Sequence, residues 1–171
     1  EGELAEVRDD QGRRLQFTYN QGLLERVTAP DGAIYGYEYD AHNNLTRVRY
    51  PDGTQRLYRY ENPTYPSALT GIFEVGSDAV PVRIATVTYD GSGRVQRSAR
   101  GPEVGDGAIG QYRFDYNPDG TTTVTDPLGH AKTLSFVDVS GTRLLQSSSE
   151  GCPGCGDGRT QVRSYDARGY L

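Results

Sequence analysis

Apolar and polar positions alternate with a period of two through short stretches of this chain. Leu15, Phe17 and Tyr19 form one such set, Tyr35, Tyr37 and Tyr39 a second, and Tyr112, Phe114 and Tyr116 a third. Successive side chains of an extended strand leave opposite faces, so each trio shares one face of a pleated strand. Turn chemistry separates the stretches. Pro30-Asp31-Gly32 and Pro51-Asp52-Gly53 recur, with Pro127-Leu128-Gly129 in the same role. Pro presets φ, Asp caps its own turn, and Gly accepts the positive φ that other residues resist. Asp90-Gly91-Ser92-Gly93, Asp138-Val139-Ser140-Gly141 and Asp166-Ala167-Arg168-Gly169 read as a second, Asp-x-x-Gly turn. The pattern predicts an all-β chain of repetitive antiparallel hairpins in a long, twisted strip. No segment sustains helical spacing with caps.

The hairpins repeat in phase. Tyr39-Asp40, Tyr89-Asp90 and Tyr165-Asp166 each close a strand, and weaker copies stand at Tyr19, Tyr60, Tyr116 and, with an aromatic swap, Phe136. A Gly stands seven residues before the aromatic in five of these units: Gly12, Gly32, Gly53, Gly129 and Gly158. Two landmarks at a constant offset identify one structural unit used about seven times over residues 1–171. The following strand carries Leu24 and Val27, or Leu45 and Val48, at a spacing of three. Either a β-bulge intervenes or both faces carry apolar surface. Longer loops are expected near 61–68, where Pro63 and Pro66 exclude a central strand, near 101–110, and over 147–158.

Composition sharpens this picture. Hydrophobic residues are 35% of the chain, too few for a conventional core, while 13 Tyr and 22 Gly suit many short strands and turns. Evenly spaced aromatics weigh against disorder. A net charge of −5 argues against a nucleic-acid partner. Of 18 basic residues only Lys132 is a lysine, so Arg can pair with carboxylates and stack on Tyr across strands, although a GC-rich genome would enrich Arg as well. No run approaches the ~18 apolar residues of a membrane span. The chain lacks Met, including at position 1, which points to a processed or excised piece of a longer protein.

Cys152-Pro153-Gly154-Cys155 is the one motif with reactive chemistry. It reads as a local disulfide or a pair of inert thiols, as half of a zinc site, or as a redox pair. Zinc would need further ligands, and only His42 and His130 remain among histidines and cysteines. Redox catalysis wants a helix N-terminus beside a βαβ unit, which this sequence lacks. The Asp residues sit at turns, where capping explains them without acid–base chemistry. No catalytic residue, cofactor or resident metal is expected.

Tyr-Asp-x-x-Gly, with Pro-Asp-Gly seven residues before the Tyr, resembles the YD-repeat of RHS proteins along essentially the whole chain. The resemblance implies a non-catalytic segment of a β-shell that, in bacterial members, encloses a C-terminal toxin domain in a secreted or surface-displayed protein. Partners would be the remaining repeats and that toxin domain, and seven units would leave open edges able to self-associate. The family's sealing segment carries Asp-Pro-x-Gly-Leu. Asp126-Pro127-Leu128-Gly129 matches its first part, but His130 replaces the Leu, so a hairpin turn is the expected reading and no protease role is carried over. A competing expectation is a carbohydrate-binding or adhesion module, with exposed Tyr and Arg rows stacking on sugars.

Overall fold

The computed structural model describes residues 2–105, 108–151 and 160–171. Fourteen strands and no helix are found among them: β1 (Glu6–Arg8), β2 (Arg14–Asn20), β3 (Leu23–Thr28), β4 (Ile34–Tyr39), β5 (Leu45–Arg49), β6 (Gln55–Arg59), β7 (Gly71–Val75), β8 (Pro81–Tyr89), β9 (Val95–Arg100), β10 (Tyr112–Tyr116), β11 (Thr122–Thr125), β12 (Ala131–Val139), β13 (Thr142–Gly151) and β14 (Thr160–Val162). The chain divides into two compact units, Glu1–Thr86 and Val87–Leu171, with the division inside β8. In the first unit β1 to β8 are hydrogen-bonded in chain order, and in the second β9 to β14 are. The recorded ladders are antiparallel.

All seven aromatic markers lie on or just past an even-numbered strand: Tyr19 on β2, Tyr39 on β4, Tyr60 after β6, Tyr89 on β8, Tyr116 on β10, Phe136 on β12 and Tyr165 after β14. Register sorts the side chains by face. Phe17 opposes Val27 and Val27 opposes Tyr35, so one row of the first unit is aromatic and β-branched. Tyr37, Val48, Arg56, Glu74 and Val82 form the next row of the same face. Such opposed pairs contribute roughly 0.2–1 kcal/mol each.

The spacing-of-three ambiguity resolves as a bulge. Thr18 opposes Arg26 while Tyr19 opposes Leu24, which leaves Glu25 as an extra residue. Thr46 is extra in β5, Ile84 in β8 and Gln146 in β13 by the same shift. One inserted residue returns Leu24 and Val27 to a common face, so the apolar rows continue without a break.

Two expectations need correction. Asp138 and Val139 stay paired in β12, opposite Arg143 and Thr142, so the connection is the two-residue turn Ser140-Gly141 rather than Asp-x-x-Gly. Both residues have positive φ, 49° and 80°, as a type I′ hairpin turn requires, and Gln21-Gly22 repeats the arrangement. The loop placed over 147–158 starts too early, because Ser147 to Gly151 continue β13 against β12. Hydroxyls fit a ladder where they pair across strands, as Ser135 Oγ and Ser147 Oγ do at 2.7 Å.

Burial is thin. Val48, Leu57 and Val75 in the first unit and Ala99 in the second are the buried hydrophobic residues among those described, and no side chain there is fully enclosed. The low apolar content of the sequence therefore reappears as a sheet held chiefly by its ladders and turns.

Candidate functional site

Eight turns among the described residues share one geometry, starting at Asp9, Ala29, Asp40, Tyr50, Asp90, Asn117, Asp126 and Asp166. In each, the first amide donates to the carbonyl four residues on, and the fourth amide donates back to the first carbonyl. This is a type I turn closed by a bulge, whose fourth residue must adopt positive φ. Gly12, Gly32, Gly53 and Gly129 hold that position at 83–85°, and Asn43 holds it at 61°. The Pro-Asp-Gly and Asp-x-x-Gly patterns are thus one turn with its carboxylate in two places. Asp40 Oδ1, in first position, accepts from the amides of His42 and Asn44. Asp90 and Asp166 do the same for Ser92 and Arg94, and for Arg168 and Tyr170. Asp31 and Asp52, in third position, accept from Ala33 and Thr54.

Asp126-Pro127-Leu128-Gly129 combines an Asp in first position with Pro in second. Its Oδ1 accepts from Leu128 and His130, and Oδ2 lies 3.0 Å from His130 Nδ1. Burial pulls the Asp126 carboxyl upward, but the hydrogen bonds from His130 and Leu128 outweigh it and hold it low. His42 contributes its backbone amide to the Asp40 turn.

The marker tyrosines tie one unit to the one before. Tyr39 Oη donates to the Leu24 carbonyl at 3.0 Å, and Leu24 is the residue opposite Tyr19, the preceding marker. Tyr60 Oη donates to Leu45, opposite Tyr39, and Tyr165 Oη donates to Leu145, opposite Phe136. Tyr116 Oη reaches Val95 at 2.9 Å. Leu24, Leu45 and Leu145 each stand immediately before the extra residue of a bulge. Burial raises the pKa of Tyr39, Tyr89 and Tyr116. Spacing alone did not disclose this back-reach, because its acceptor is a main-chain atom.

Arginines favour aromatic faces. Arg94 lies 4.0 Å over the Tyr116 ring while paired with Asp90, Arg143 lies 4.9 Å over Phe136, and Arg83 lies 5.0 Å over Phe73. Arg83 also pairs with Glu61 and packs so closely against Gly71 that a Cβ there would meet its guanidinium. Glu38 pairs with both Arg47 and Arg49.

An open cleft of about 990 Å³ lies at the turn end of the aromatic face in the first unit. Tyr35 and Tyr50 meet edge to face there, with ring centroids 6.3 Å apart. Arg56 Nη2 donates to Glu74 at 2.7 Å, and Asp31, Asp52 and Asp78 also line the cleft. Cys152, Cys155 and Gly158 lie outside the described residues, and with them the disulfide and zinc readings.

Among known proteins, the RHS Repeat family model matches residues 20–55. No curated protein matches the chain. Among solved structures, the crystal structure of TcdB2-TccC3-Cdc42 aligns at TM-score 0.52 and 15% identity, over 94% of this chain and 10% of that one. The crystal structure of TcdB2-TccC3 aligns at 0.48 and 15%, over 94% and 10%. The Photorhabdus luminescens Tc holotoxin pore with TccC3-D651A aligns at 0.38 and 13%, over 92% and 11%. The chain thus spans about a tenth of the length of these solved chains, and the first likeness concerns the fold alone.

Proposed function

Starting from a chain that carries an RHS repeat over residues 20–55, we propose that it serves as a stretch of wall rather than as a catalyst. The parent protein would be a secreted or surface-displayed bacterial protein whose repeats enclose a C-terminal toxin domain, as the RHS resemblance implies. One observation carries the reading: the groups that look chemically useful are engaged in the repeat itself. Tyr39, Tyr60, Tyr116 and Tyr165 donate to the preceding unit, and Asp40, Asp90 and Asp166 cap turns. Containment needs such self-sufficient units, since a repeat contacts only its neighbours.

The test uses the full-length parent protein. Limited proteolysis should leave the C-terminal domain resistant while the repeats are intact and release it once they are unfolded. Digestion of that domain at the rate of the isolated domain would overturn containment. A glycan array examines the competing adhesion reading, which gains support from a reproducible sugar hit that depends on exposed Tyr or Arg.

A further inference from the structure

We propose that the cleft between Tyr35 and Ile84 binds a basic side chain, arginine or lysine, presented by a polypeptide. The charge balance of its lining favours a cation. Asp31, Asp52, Asp78 and Glu74 face a single guanidinium, Arg56, which already donates to Glu74, so three negative charges are left over. Turn capping engages one oxygen of each aspartate: Asp31 Oδ1 holds the Ala33 amide, Asp52 Oδ1 the Thr54 amide and Asp78 Oδ1 the Val80 amide. Among the described residues these bonds use Oδ1 alone, which leaves the second carboxylate oxygen of each for a donor from outside.

The apolar lining suits the rest of such a side chain. Val80, just before β8, and Val82, within it, are 57% and 59% exposed, and they line the cleft together with Ile84 and the two tyrosines. Lysine and arginine carry an aliphatic stem behind a charged head, so a wall of valines beside carboxylates matches both parts. Tyrosine rings attract a cation by about 0.5–1 kcal/mol at exposed sites. A neutral sugar would use the rings and hydrogen bonds but not the excess charge, and an anion would be repelled. The volume lies at the upper end of the ~300–1,000 Å³ typical of ligand clefts, enough for the side chain and its flanking backbone. The site lies wholly within the first unit and does not depend on whether the chain encloses anything.

NMR titration of the whole 171-residue chain decides the matter, with N-acetylarginine methylamide as probe and methyl β-glucoside and N-acetylglutamate methylamide beside it. Saturable shifts at Tyr35, Tyr50 and Thr54 are expected with the arginine probe and not with the other two. The triple substitution D31N/D52N/D78N keeps an Oδ1 acceptor at each turn and removes three charges, so it should fold and bind about tenfold more weakly, each exposed charge contributing ~0.2–1 kcal/mol. Equal affinity in the triple variant, a preference for the glucoside, or no response to the arginine probe would each overturn the proposal.

Discussion

Each of the eight bulged turns is governed by one capping carboxylate and one residue of positive φ. Hydrogen bonds hold several of these carboxylates below their ordinary value of 3.8: from the Arg13 side chain at Asp9, from Thr54 at Asp52, from the Arg94 amide at Asp90 and from Thr121 at Asp119. At Asp40 burial works upward, but donation from Asn44 and His42 prevails. A carboxylate with a depressed folded pKa lends stability above its unfolded pKa and loses it as pH falls through the folded value. The urea midpoint should therefore stay level from neutral pH to about 4.5 and decline below about 4. Asp40→Asn and Asp52→Asn keep the cap without titrating, so together they should flatten the acid limb; an unchanged limb would show that other groups drive it. Residue identity made most of this legible, because Asp, Pro and Gly have few reasons to recur together. Ser140 and Gln21 were less legible: both take positive φ in two-residue turns, which neither residue type advertises.

Strand pairs add what no residue states alone. The sequence showed that Leu24 and Val27 break alternation, and only the register placed the extra residue at Glu25. Deleting Glu25 should leave Leu24 opposite Tyr19 and Arg26 opposite Thr18, with every apolar side chain on its original face. Deleting Thr18 from the unbulged partner should force Phe17 and Tyr19 onto opposite faces. Circular dichroism and urea unfolding should find the first variant folded and the second destabilised by about 2 kcal/mol or more. Equal losses would mean that the bulge fixes more than register. Ser147 to Gly151 illustrate the opposite difficulty: their composition suggests a loop, and pairing with β12 decides otherwise, as tertiary context commonly does for strands.

At the scale of the molecule, few side chains are buried among the described residues, so stability is expected to be a sum over neighbouring strands. Tyr39→Phe removes the hydroxyl that reaches Leu24 and should cost about 0.5–1.5 kcal/mol. Hydrogen exchange should quicken in β3 to β5 and stay unchanged in β10 to β12; a uniform increase would contradict neighbour-only coupling. The RHS repeat that the family model matches over residues 20–55 was legible because landmarks recur, whereas the cleft was not: Asp31 and Asp52 belong to recurring Pro-Asp-Gly turns, but no motif links them to Glu74, Asp78, Val80, Val82 and Ile84. The tyrosine back-reach also bears on ancestry. A hydroxyl that seeks the carbonyl of the previous repeat finds an equivalent one whichever copy precedes it. Unequal crossing-over can therefore add or remove a complete repeat and leave both sides of the junction satisfied, whereas a partial repeat strands a donor and an acceptor. Chains of this kind are expected to change length in whole periods.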